Sequence, residues 1–447
     1  MKKRTFLKLT SALMTAPIVS PLVSWLPDER LKNWAGNLTY STDRVYYPAS
    51  VEEVQVLVKQ YDKLKVLGTR HCFNNIADSR DNLVSTKQLN KIVSLDEQTK
   101  TVTVESGIKY GELCPYLESK GYALHNLASL PHISVAGAIT TATHGSGVRN
   151  GNLSSAVRAI EFVDAEGTLH ALSRDKDGDR FNATVVGLGA IGVLTKVTLA
   201  IQPTYSMKQF VYEHLPLSQL KENFDKIVSA GYSVSLFTDW QSDSINEVWI
   251  KTKTNEGPGY DAEKEFFGAS AATKNMHPIA TLSSENCTEQ MGVAGTWYER
   301  LPHFKMGFTP SSGVELQAEY FIPHGNAMDA ILAVQGIGKQ VGPHLLITEI
   351  RTIDEDNFWM SPCYKQPSVT IHFTLKQEIP EVMNLLPVIE KELAPYKAKP
   401  HWGKLFTMSN AQLLNLYERM PAFVALLKDY DPNGKFRNDF LNKNIYG

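Results

Sequence analysis

The run Ser368-Val369-Thr370-Ile371-His372-Phe373-Thr374-Leu375 alternates without a fault, polar at even positions and apolar at odd ones. A period of two places the four apolar side chains on one face of a strand, with Ser368, Thr370, His372 and Thr374 on the other. Val314, Leu316, Ala318 and Tyr320 alternate in the same way with Glu315, Gln317, Glu319 and Phe321. Strands with one apolar face need a sheet to sit in and a second layer to cover that face. Helical signals are interleaved with these strands from about Thr204 to Pro400, so this half reads as a domain with an antiparallel sheet covered by helices. There is no internal repeat.

The first half, from Asn33 to about Pro203, has shorter elements. Ser50-Val51-Glu52-Glu53 is a capping box, and Val51, Val54, Leu57, Val58 and Tyr61 follow helical spacing. Lys65 to Gly68 reads as a short strand, Thr101 to Val104 as a half-buried one, and Tyr110 to Lys120 as a helix stopped at Gly121. Ala159–Asp164 and Thr168–Leu172 form a hairpin about Glu166-Gly167. At 447 residues the chain has room for two large domains or three of ~150 residues.

Gly187-Leu188-Gly189-Ala190-Ile191-Gly192 satisfies the G-x-G-x-x-G dinucleotide pattern. That pattern needs a helix to start at the glycines, so that its N-terminus meets the pyrophosphate. The residues that follow, Val193 to Ile201, are β-rich and stop before Pro203. They predict a strand, which argues against a Rossmann nicotinamide site. The glycines could still let the backbone approach some ligand closely.

Charge and cysteine content narrow the function classes. The formal net charge is −2, so nothing global draws the chain to nucleic acid or anionic lipid. Cys72, Cys114, Cys287 and Cys363 are far apart and include no CxxC, which speaks against a disulfide framework or a zinc ribbon. At the N-terminus Lys3-Arg4-Thr5-Phe6-Leu7-Lys8 precedes an uncharged stretch to Pro27. Residues 1–27 read as a twin-arginine-like export leader, directing the protein outside the cytoplasm, or else as a basic terminal extension. Pro17 and Pro21 make the stretch a weak transmembrane helix.

Four constellations could carry chemistry. Val66 to Asn75 is a strand running through Gly68 into small and polar residues, the materials of a phosphate cradle, with His71 inside it. Leu127 to Gly137, continuing to Thr141, His144 and Gly147, has small residues dense enough for the backbone to lie against a planar or phosphorylated ligand. His125, His132 and His144 lack metal-ligand spacing, so no metal site is expected. Glu349-Ile350-Arg351 puts a carboxylate and a guanidinium on one face of a strand. His401-Trp402-Gly403-Lys404 sets a lysine after an aromatic and a glycine.

Together these motifs resemble the vanillyl-alcohol-oxidase-type flavoproteins, and within them the alditol (xylitol) oxidases. The resemblance runs from Asn33-Trp34-Ala35-Gly36-Asn37 to the C-terminus. It includes Gly68-Thr69-Arg70-His71, Ala128 to Gly137, Thr143 to Gly147, Glu349-Ile350-Arg351-Thr352, His372-Phe373-Thr374 and His401 to Lys404, with Asn286 to Gln290 and Arg300 to Phe304. It implies an α+β, two-domain FAD-linked oxidase. Residues 33–203 and 401–447 would form the FAD-binding domain, and residues 204–400 the substrate domain.

His71 matches the family histidine that bonds covalently to the isoalloxazine methyl group. Val66, Leu67, Gly68, Thr69, Arg70, Cys72, Ser129, Ser134, Val135, Ala136, Gly137, Thr141, Val193 and His401 match positions that hold or adjoin FAD. Ser129, Glu349, Arg351, Thr374 and Lys404 match the residues that hold and activate the polyol, with His372 beside them. Arg351, Lys404 and His372 are the expected catalytic groups, either Lys404 or His372 taking the hydroxyl proton. Cys72 departs from the usual serine, and one covalent bond is expected. The resemblance implies a small polyol and oxygen as reactants; the sequence leaves the oligomeric state open, with a monomer as the expectation. An aldonolactone or sugar oxidoreductase with another electron acceptor is the alternative reading.

Overall fold

The computed structural model describes residues 30–254, 263–308 and 313–447; the leader segment, residues 1–27, lies outside them. No helix among the described residues is long and apolar enough to cross a membrane.

The first domain holds a three-stranded sheet, a five-stranded sheet and the two-stranded pair Tyr122–Ala123 with Gln202–Pro203. Lys65–Leu67 lies parallel to Leu83–Ser85, which in turn pairs in parallel with Val45–Tyr46. A five-stranded antiparallel sheet follows, in the order Ile92–Asp96, Thr101–Glu105, Val193–Ala200, Val157–Val163, Leu169–Ser173. The helix Val51–Gln60 starts where its cap signal puts it, with Ser50 Oγ accepting from the Glu53 amide at 3.2 Å. Its Val54 and Val58 pack against Leu64, Val84 and Val193. The run after the glycine pattern is indeed a strand, Val193–Ala200, and a helix, Arg174–Val185, precedes the glycines instead of following them.

The second domain is one large sheet. Its central strands are Ser206–Pro216, Ser244–Lys253, Ser233–Thr238, Leu345–Ile353, Ser368–Lys376 and Glu315–Pro323, each antiparallel to its neighbour. Leu316, Ala318, Tyr320 and Ile322 share a core with Ile331 and Val334 of the helix Ala327–Gly336 and with Val382, Leu385 and Ile389 of the helix Ile379–Leu393. Thus helices cover one face. The opposite, polar face is buried as well: Ser368, Thr370 and His372 are 2%, 0% and 7% exposed. Alternation identified the two faces, but the polar one looks into the space between the domains and not into solvent.

The chain end returns to the first domain. Phe73 N donates to the Gly403 carbonyl at 2.8 Å, and Ala165 N to that of Tyr430 at 2.9 Å. The side-chain amide of Asn438 donates to the carbonyls of Asn75, Ile76 and Asp78.

Candidate active site

A cavity of about 630 Å³ lies between the loops of the first domain and the polar face of the large sheet. Of the residues expected at the site, Val66, Gly68, Thr69, Arg70, His71, Cys72, Ser129, Ala136, Gly137, Thr141, Glu349, Arg351, His372, Thr374, His401 and Lys404 all line it. Leu67, Ser134, Val135 and Val193 stand behind the wall. Leu67 packs on Tyr40 and Leu83, Val135 and Val193 lie in apolar clusters, and Ser134 Oγ accepts from the Gly137 amide at 3.3 Å.

On the first-domain side the wall is mostly backbone. None of the amides of Gly68, Thr69, Arg70, His71 and Cys72 donates to a backbone carbonyl among the described residues, so they are available to an anionic ligand. Gly68 and Gly137 face each other across Ser134, and a Cβ at Gly137 would come within 2.8 Å of Ser134 Oγ. Leu188 and Gly189, both at positive φ, bring the third loop to the same cavity. Arg70 also has φ +65°, a strained conformation for a residue with a Cβ. A chain of aromatic rings follows: His71 lies 5.1 Å from Trp34 and 4.4 Å from His132. Both ring nitrogens of His132 are buried without a partner. These loops, open amides and planar walls fit a flavin nucleotide.

On the sheet side, register assembles a charged cluster. Glu319 pairs with His372, and His372 with Glu349, so one row across three strands carries three titratable groups. Glu319 Oε1 accepts from Arg351 at 2.8 Å and lies 3.0 Å from His144 Nε2. His372 Nδ1 sits 3.2 Å from Glu319 Oε2, an ion-pair distance without hydrogen-bond alignment. Glu349 takes His303 on Oε1 at 2.7 Å and faces Arg351 Nε with Oε2 at 3.5 Å. Arg351 Nε itself is buried with no hydrogen-bond acceptor. Lys404 Nζ meets the Gln317 side-chain oxygen and lies 4.8 Å over the Phe73 ring.

Burial would raise both carboxyls, but the neighbouring guanidinium and imidazoles reverse the shift. His144, His372 and Arg351 hold Glu319 well below the usual carboxylate range, and Arg351 and His303 do so for Glu349. Burial lowers Lys404, against the pull of Glu319 and Glu315, and lowers His372, against that of Glu319. His71 falls well below an ordinary histidine through burial and then its neighbours His132 and Lys404.

Several lining residues were not singled out as site residues from sequence: Trp34, His132, His144, His303, Gln317 and Glu319. Gln317 and Glu319 were visible as same-face positions of an alternating strand. His132 and His144 were weighed from sequence only as metal ligands and set aside, and His303 stood only within a segment matching the family; the structure gives them aromatic or carboxylate neighbours.

Residues 42–173 match the family described as FAD binding domain, and residues 308–444 the family described as D-arabinono-1,4-lactone oxidase. An alditol oxidase from Streptomyces sp. is 41% identical over 418 residues, covering 93% of this chain and 99% of that protein. An L-gulono-1,4-lactone dehydrogenase from Mycobacterium tuberculosis is 25% identical, covering 92% and 98%. Among solved structures, cholesterol oxidase from B. sterolicum superposes with a TM-score of 0.75 at 14% identity, covering 97% of this chain and 100% of that one. With the loop cradle and the buried cationic cluster in one cavity, the chain belongs to the vanillyl-alcohol-oxidase-type FAD-linked oxidases, as a homologue of alditol oxidase.

Proposed function

We propose that this oxidase converts the terminal hydroxyl of an alditol of the xylitol or sorbitol type to the aldehyde, passing two electrons to oxygen and releasing hydrogen peroxide. The carrying observation is Arg351, buried between Glu319 and Glu349 beside Lys404, in the same cavity as the open amides of residues 68–72. Loops 66–72, 128–141 and 188–192 would hold FAD, which supplies the hydride acceptor when bound. His71 would carry it covalently. A histidine kept neutral by burial has a nucleophilic ring nitrogen, whereas burial raises the Cys72 thiol to about 11 and leaves it a poor nucleophile.

The chain's own groups divide the remaining work. Arg351 stays charged and, with Lys404, stabilises the alkoxide developing on the reacting hydroxyl. Ionised Glu319 favours the proton of His372 on Nδ1, which leaves Nε2 as an acceptor. His372, lowered by burial, is neutral at pH 7 and is thus the better proton acceptor of the two candidates. Glu349, Ser129 and Thr374 would bond the other hydroxyls and reject substrates that lack them.

Oxygen uptake with xylitol, sorbitol, L-gulono-1,4-lactone and D-arabinono-1,4-lactone tests the reading. Aldehyde and peroxide in equal amounts from the alditols are expected. Turnover of the lactones alone would replace it with the lactone reading, which the match of residues 308–444 favours. Flavin reduction by alditols without oxygen uptake would replace oxygen with another acceptor.

A further inference from the structure

Glu349 is held from behind by two residues that no reading of the sequence marked as functional. His303, on the segment after Leu301-Pro302, puts Nε2 2.7 Å from Glu349 Oε1. Its other nitrogen, Nδ1, lies 3.2 Å from Nζ of Lys251. Lys251 sits in the strand Ser244–Lys253, is 1% exposed and does not reach the cavity. Its ammonium also donates to the carbonyls of Leu301 and Pro302, at 2.5 and 3.1 Å.

An ammonium has three protons and no acceptor. Two go to the carbonyls, and the third meets His303 Nδ1, which must then carry a lone pair. The ring proton is therefore on Nε2, where it is donated to Glu349. The opposite tautomer would set N–H against ammonium on one side and a lone pair against a carboxylate on the other. Phe237 and Trp249, edge-on at 5.5 and 5.3 Å, hold the ring plane. Burial and then Lys251 hold His303 at about 4, so the ring is neutral.

We propose that Lys251 and His303 are positioning residues for substrate binding: Lys251 fixes the tautomer of His303, and His303 aims Glu349 at the polyol hydroxyls. This rests on the reading of Glu349 as a substrate ligand. Burial draws Lys251 down to about 7, opposed by Glu349 and Cys287 and assisted by Arg351, so the test belongs at pH 6, where all three protons are present.

Two measurements on the flavin-loaded protein decide it. ¹⁵N-histidine NMR, with His303 assigned by its loss in His303→Gln, should show the Nε2–H tautomer in the wild type and loss of that preference in Lys251→Met. Anaerobic stopped-flow reduction with xylitol should show the apparent Kd rising about tenfold in Lys251→Met, the scale of one charge-assisted hydrogen bond. The limiting rate should change much less, flavin content should be unchanged, and Lys251→Arg should recover most of the binding. If Lys251→Met fails to fold, His303→Gln and His303→Leu serve instead: glutamine keeps a donor to Glu349 and should bind xylitol better than leucine does. An Nδ1–H tautomer in the wild type, an unchanged Kd in Lys251→Met, or equal binding by the two His303 variants would overturn the proposal. A wild type that no polyol reduces would instead sink the substrate reading, and the tautomer would still decide the relay.

Discussion

Arg70 and His71 show how one loop presents a side chain to the cavity. The strained φ of Arg70 turns the chain so that His71 enters the cavity between Trp34 and His132. The strain is sustained because Trp34 N donates to the Arg70 carbonyl at 2.9 Å and Phe73 N to Gly403 at 2.8 Å, fixing the loop at both ends. If His71 bonds the flavin, acid-precipitated protein should stay yellow and show one FAD of added mass. His71→Ala should lose the colour on precipitation while still binding FAD in the folded state through the loop amides. Colour lost from precipitated wild type would leave FAD bound without a covalent link.

At the scale of the strand, the site follows from register. Glu319, His372 and Glu349 are unrelated positions in sequence until Glu315–Pro323, Ser368–Lys376 and Leu345–Ile353 align them in one row. Glu319 is the junction, since one carboxylate meets Arg351, His144 and His372. Its His144 contact ties the sheet to the first domain. Glu319→Gln should therefore leave Arg351 with Glu349 alone. Removing one partner from a buried charge cluster costs ~3–5 kcal/mol, so the urea midpoint should fall with an unchanged slope. Flavin reduction by xylitol should slow as well, because Arg351 and His372 lose their common anchor. An unchanged midpoint would show that the cluster contributes nothing net to folding.

The same strands mark where sequence reading stops. Alternation told which residues share a face, and so grouped Gln317 with Glu319 and His372 with Thr374. It could not tell that this face is buried, because what lies across it is a different part of the chain. Ser50, Gly121 and the run after Gly192 were legible because caps and β-rich runs act on their own neighbours. Lys404 was not: spacing showed only a lysine after an aromatic and a glycine, and only the family resemblance gave it a specific role. Its place depends on the segment after Lys399–Pro400 joining the sheet edge, with Leu405 N donating to the Gln317 carbonyl at 2.8 Å.

For the whole molecule, putting the site between two domains buries several histidines. Burial, with nearby positive charges, holds His132 and His303 at about 4 and puts His71 and His401 well below the usual value. In the unfolded chain each would titrate near ~6.5. Between ~6.5 and 4 the unfolded state therefore binds protons that the folded state refuses, and stability falls as pH falls. A shift of that size is worth about 3 kcal/mol per histidine by the time pH reaches 4. Lys65 and Lys251, drawn down to about 7 by burial, extend the same slope upward, their contribution growing from pH 7 towards ~10.5. The urea midpoint of the flavin-loaded protein should thus be clearly lower at pH 5 than at pH 7. His132, whose ring nitrogens have no partner, supplies an internal control. His132→Leu should flatten the acid limb, because leucine has no proton to accept in the unfolded chain. A wild-type midpoint that is level from pH 7 to 5, or an acid limb as steep in His132→Leu as in wild type, would show that these histidines do not set the acid stability of the fold.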